Sequence, residues 1–280
     1  MAILRGSSRR PDRETARIAL AARVRSTGNQ GGPIAPHRAI ATVRLTRGDV
    51  AIAALLTLAL TALYIASLPA VGALWTGIFR WLAGPLDLGG VARRAGTVVS
   101  AVSVSVPYFT ARAGAPSWTL WWLTLVATAG VTIGSLFLRA RYLPLAYALR
   151  FVAAIQASAL LFFALARDRF PYDLAVYVSG MMLIGASVIG LVPLILGLTF
   201  YVIDVRWSQK VALTAIVMGH LLLFIPLQYA LQSYVVAHGS LLFLPVSFIV
   251  FGILPEVMIL VAFYGWGMSW RAGRSRGRRQ

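Results

Sequence analysis

The 280-residue chain contains no cysteine, which removes disulfides, thiolate metal sites and cysteine nucleophiles from consideration. Acidic residues are scarce, 8 Asp and Glu against 26 Lys and Arg, for a formal net charge of +18. Carboxylate pairs for acid–base chemistry are therefore few. Asp12 with Glu14 and Asp168 with Asp173 are close in sequence; the first pair lies in a polar tail and the second beside Arg167 and Arg169. Both pairs read as solvated charge. The histidines are His37, His220 and His238, with no i, i+4 pair to hold a metal, and no Gly-Lys-Ser/Thr phosphate loop occurs. The first 48 residues have no Phe, Tyr or Trp, so their basic excess comes without a platform for base stacking, and nucleic acid is not the expected partner. They also lack the apolar core of a cleavable signal. The first apolar run is expected to serve as an uncleaved anchor.

What the chain has in abundance is apolar residues. It is 59% hydrophobic with a mean hydropathy of +0.78, beyond the ~45–50% usual for soluble domains. Apolar runs cover about Asp49–Ala70, Trp118–Leu138, Leu143–Ala166, Leu174–Ile203, Val211–Val236 and Leu241–Met268. Each reaches the ~20 residues that cross a hydrocarbon core. The fold expected is all-α: a polytopic integral membrane protein, a six-transmembrane-helix bundle.

Charge orients it. Placing both termini on one side collects 19 basic residues there: ten from the N-terminal tail, Arg139 and Arg141, Arg206 and Lys210, and five from the C-terminal tail. The other side receives Arg80, Arg93, Arg94, Arg112, Arg167 and Arg169, while Arg150 falls within a span. The positive-inside rule then selects N-in/C-in. The expected organisation is a basic, mostly disordered cytoplasmic tail over 1–48, a membrane domain over 49–268 with an outer loop at 71–117, and a second basic tail over 269–280. Glu14–Val24 has the composition of a short surface helix within the first tail. Arg271, Arg274, Arg276, Arg278 and Arg279 would meet anionic phospholipids. Arginine in place of lysine at 25 of 26 positions points to a GC-rich bacterial genome, hence to a bacterial inner (plasma) membrane.

In the outer segment, Trp75, Phe79 and Trp81 suit a headgroup boundary, and Gly84-Pro85 stops a helix. Val102-Ser103-Val104-Ser105-Val106 alternates with the period of a strand, ended by Pro107. Val102, Val104 and Val106 would share one face, and that strand must pair within its loop or dock on another chain. Trp118, Trp121 and Trp122 form an outer aromatic belt, and Trp207, Trp266 and Trp270 an inner one. Pro193, in the longest run, marks an expected kink or break.

Three charged or titratable residues sit inside spans, where each needs a reason. Glu256, Arg150 and His220 lie about 12, seven and nine residues from the inner ends of their runs, at depths of roughly 10–18 Å that allow them to meet. Together they form a relay or substrate-binding cluster, or else a structural ion pair with a core histidine. Gln156, Gln228 and Gln232 extend the polar path or bridge helices.

Six spans, an inside N-terminus and a long first outer loop resemble the rhomboid intramembrane serine proteases. In that family a Gly-x-Ser-Gly stretch opens the fourth span and a His lies in the sixth. Val178-Ser179-Gly180 and Ala237-His238-Gly239 are the matching stretches here. The resemblance implies a Ser179–His238 dyad for acyl transfer. The chain departs from the pattern at Tyr177, where Gly is required, in a second span with neither His nor Asn, and in the order Arg80-Trp81.

The function expected first is that of a non-catalytic membrane subunit, scaffold or assembly factor of a bacterial envelope complex, with protein partner subunits and no cofactor. The alternative is a small-solute or proton-coupled carrier using Glu256, Arg150 and His220. The protease reading stands below both.

Overall fold

A computed structural model describes residues 47–98, 102–199 and 206–270. The two basic tails, including Glu14–Val24 and Arg271, Arg274, Arg276, Arg278 and Arg279, lie outside the described residues. Among the described residues, besides three short 3-10 turns, the α-helices and strands in order are α1 (Arg47–Ala83), β1 (Val91–Val98), β2 (Val102–Phe109), α2 (Trp118–Leu136), α3 (Leu143–Leu165), α4 (Leu174–Thr199), α5 (Trp207–His238), α6 (Leu244–Phe251) and α7 (Ile253–Ser269). Among the described residues six helical segments are long and apolar enough to cross a membrane, with α6 and α7 together supplying the last. The protein is a multi-pass helical membrane protein.

Short connections make neighbouring helices antiparallel. Pairs α2–α3, α4–α5 and α1–α4 carry the main helix contacts. At the end where α4 begins, the loops are tied together: Arg167 donates to the Pro116 carbonyl at 2.6 Å and the Leu241 amide to Gly114 O at 3.0 Å. Trp121 joins α2 to α3 by donating Nε1–H to Leu160 O at 3.0 Å, while Trp118 and Trp122 are exposed.

The first helix corrects the expected boundary at Ala70. It runs on to Ala83, about 55 Å at 1.5 Å per residue. Trp75 and Phe79, expected at the headgroup boundary, are fully buried. Trp75 donates Nε1–H to Leu222 O of α5 at 2.8 Å, and Phe79 stacks on Phe109 with ring centroids 4.4 Å apart. Burial of these rings holds the extra turns in helix until Gly84-Pro85 ends it.

The strand expected at Val102 exists and pairs within its own loop. β1 and β2 form an antiparallel hairpin in the register Val91↔Phe109 through Val98↔Val102. Residues of one face point the same way, so Val104 and Val106 lie together with Gly96 and Val98. Val98, Val104 and Val106 are buried. The valine face is thus covered from within the chain, and Ser103 and Ser105 face outward. The hairpin packs on α1 and α4. At Gly72 a Cβ would come within 2.8 Å of Ser105 O, so only glycine permits this approach. Gly96 sits against Leu183 and Arg94 bonds Ser179, five to nine residues past Leu174. The hairpin therefore lies alongside the first ~8–14 Å of α4.

Of the kink or break expected at Pro193, the break does not occur: α4 passes through Pro193 as a single helix, whereas the last span is interrupted at Gly252. There the backbone has φ −83° and ψ −112°. A Cβ at Gly252 would collide with the Phe248 carbonyl, so the break is closed to residues with a side chain.

Candidate functional site

The break at Gly252 exposes the last carbonyls of α6 and starts α7 in the middle of the span, with Glu256 in its first turn. A helix ending inside a span must find partners for its free carbonyls within the protein. Two glutamines of α5 supply them. Gln228 Nε2 donates to Phe251 O at 2.6 Å and Gly252 O at 3.0 Å, and Gln232 Nε2 donates to Phe251 O as well. Gln232 Oε1 in turn accepts the hydroxyl hydrogen of Tyr177 from α4.

Glu256 completes this group. Its side chain is fully buried, and Oε1 accepts from the Tyr229 hydroxyl at 3.1 Å. Tyr229 and Tyr177 meet edge to face, with centroids 6.5 Å apart. The site is thus one carboxyl, two tyrosine hydroxyls and two amides, drawn from α4, α5 and α7 and centred on the broken helix. Gln228 Oε1 and Glu256 Oε2 are buried without a hydrogen-bond partner.

Clefts flank α6 on both sides. One of about 560 Å³ opens between α5 and α6 and is lined by Phe224, Gln228, Gln232, Ser247 and Pro255. The other, about 480 Å³, lies between α4 and α6 against Tyr177, Met181, Pro245 and Phe248. Most of the lining is apolar, with a few amide and hydroxyl groups, the make-up of a small-ligand site.

Glu256, Arg150 and His220 do not form the expected cluster. Arg150 belongs to the α2–α3 pair: Nε and Nη2 donate to Ser135 Oγ and Ser135 O, each at 3.1 Å, and the guanidinium lies 5.6 Å from the Tyr147 ring. His220 is exposed on α5, stacked on Phe224 at 5.8 Å and edge-on to Phe263 at 5.2 Å. Of the three, Glu256 alone sits in the buried polar group. Tyr177 and Tyr229 were missed because an aromatic residue in an apolar run carries no periodic signal of a buried hydroxyl. Gln228 and Gln232 stood out as polar residues in a span, one turn apart, but their partners are carbonyls freed by a break the sequence does not mark. Gln156 is separate, donating to Leu242 O at 3.4 Å.

The Ser179–His238 dyad is also absent. Ser179 Oγ accepts from Arg94 Nη1 at 2.9 Å and donates to Val176 O at 3.2 Å. His238 Nδ1 lies 3.1 Å from Tyr234 O, one turn back on its own helix. The hydroxyl that would attack is committed to Arg94, and no histidine is bonded to it. Among the described residues no three His, Asp or Glu side chains gather as a metal site. No family model matches the chain, and neither a curated protein nor a solved structure is similar to it.

Proposed function

We propose that the protein is a carrier for a small solute in a bacterial inner membrane, with Glu256 as its working residue. The observation that carries this reading is the discontinuous last span, interrupted at Gly252 with a buried carboxyl in the turn that follows. A broken helix inside a span places free backbone groups and a charge where a solute or ion can be bound, and its two halves can move separately. Clefts on either side of α6 give that half-helix room, one reaching Gln228 and Gln232 and the other Tyr177. Their apolar lining favours a small, weakly polar solute.

The test is uptake. The full chain is reconstituted in sealed vesicles and offered radiolabelled neutral amino acids, sugars and short alcohols. Accumulation of at least one class, abolished in Glu256→Gln, is the expected result. No accumulation of any class, with Glu256→Gln folded as the parent, would overturn the carrier.

The second reading is a non-catalytic subunit, scaffold or assembly factor of an envelope complex. It is favoured by the outward face of the hairpin, where Arg93, Ala95, Thr97, Ser103 and Ser105 are exposed beside backbone edges that a further strand can join. Co-purification from host membranes, before and after Val104→Pro, tests it; a partner retained only by the parent hairpin supports it. In both readings the termini lie in the cytoplasm and Arg271, Arg274, Arg276, Arg278 and Arg279 meet anionic phospholipids.

A further inference from the structure

The buried oxygens at the break define a site that the carrier reading leaves unassigned. Gln228 Nε2 is used by two carbonyls. Rotating the amide by half a turn would set its oxygen against those same carbonyls, so the hydrogen-bond network fixes which end is which. Gln228 Oε1 is left as an acceptor with no donor. Glu256 Oε2 is in the same position, since the one donor bonded to this carboxyl, Tyr229, is on Oε1. Gln228 reaches Gly252 O at 3.0 Å, and Glu256 follows four residues later in the first turn of α7. Two acceptors, one of them on a carboxyl that is 0% exposed, require positive charge or a donor hydrogen.

Among the described residues no Lys, Arg or His is bonded to this carboxyl. Arg150 is bound to Ser135 in the α2–α3 pair. His220 is nine residues from Tyr229 along α5, or ~14 Å, and Lys210 nineteen residues, or ~28 Å. Tyr229 is the group bonded to Glu256, and Tyr177, Gln228 and Gln232 belong to the uncharged network around the break. A trapped water would give hydrogens to both oxygens but would leave an ionised carboxyl uncompensated.

We propose that Glu256 and Gln228 bind one monovalent cation, a proton or a sodium ion, between Glu256 Oε2 and Gln228 Oε1. A single carboxyl balances a single positive charge, and α4, α5, α6 and α7 contain no other Asp or Glu to hold a divalent ion. Tyr229 Oη is the third oxygen at the site, and its hydrogen on Oε1 turns Oε2 toward the ion. Because the carbonyls of the break are held through the other end of Gln228, the bound ion is linked directly to the seating of α6. This inference deepens the carrier reading by naming its coupling ion, and it rests on that reading only for the ion's role, not for its binding.

The experiment uses the purified full chain in detergent. One arm exchanges choline chloride for sodium chloride at constant ionic strength and follows thermal unfolding. The other records the infrared carbonyl band of protonated carboxylic acid at neutral pH. A sodium ion gives a rise in the unfolding midpoint that Glu256→Gln abolishes and that Gln228→Leu weakens about tenfold in sodium concentration, as loss of one charge-assisted contact requires. A proton gives a carboxylic-acid band that disappears in Glu256→Gln and shifts in Gln228→Leu. Either result supports the site and identifies its ion. If neither sodium stabilisation nor a Glu256-dependent band is found, Glu256 is a hydrated carboxylate and the proposal falls. Should Glu256→Gln not fold, the Gln228→Leu comparison decides, and an unchanged response there also overturns it. Ion binding without solute flux defeats the carrier alone, and flux without ion binding defeats this inference alone.

Discussion

The hydroxyl of Tyr229 donates to Glu256 Oε1 at 3.1 Å and ties the continuous helix α5 to the first turn of α7. This bond anchors the half of the last span that follows the break at Gly252. On its far side the same helix, α5, holds the last carbonyls of α6 through Gln228 and Gln232. The two halves of the last span are thus fixed separately to a common helix.

Tyr229→Phe keeps the ring and removes the donor, leaving Glu256 with no hydrogen bond among the described residues. Stability should fall by about 1–3 kcal/mol, the cost of an unmatched buried polar group. Unfolding in detergent measures it, and a variant as stable as the parent would remove this bond from the account.

The hairpin is held by close backbone approach at Gly72. Gly72→Val sets a Cβ against Ser105 O at 2.8 Å and should cost about 1–3 kcal/mol through overpacking, with faster proteolysis of 91–109. Gly77→Ala, on the same helix with open space at its Cβ, is the control. Equal behaviour of the two would show that the hairpin is not seated on Gly72.

Arg94 and Ser179 link the hairpin to α4 at 2.9 Å. A double-mutant cycle of Arg94→Met with Ser179→Ala should return a coupling of about 0.5–3 kcal/mol. A serine-directed fluorophosphonate should leave Ser179 unlabelled, because its hydroxyl has no histidine to take its proton. Labelling that Ser179→Ala abolishes would restore the protease reading.

The distribution of arginine predicts the orientation. Reporter fusions after Gln280 and at Gly114 should fall on opposite sides, the first inside. An external reporter after Gln280 would invert the scheme.

The sequence alone determined the spans. Helix starts at Trp118, Leu143 and Leu174 coincide with their apolar runs, because the length of an apolar run and the residues that bound it are local properties. The valine and hydroxyl alternation of β2 was legible for the same reason. Its partner β1 was not, since Val91–Val98 carries two arginines and becomes a strand through pairing. Nor was the second half of α1 legible, where Trp75 and Phe79 are buried by a distant helix and strand. Glu256 was conspicuous as a charge in an apolar run, yet its partners were misassigned to Arg150 and His220. Counting residues gives height along a helix. It does not give which helices are neighbours or which way a side chain faces around the bundle. The tertiary structure decided both, setting Arg150 against Ser135, His220 toward the surface, and Glu256 on Tyr229.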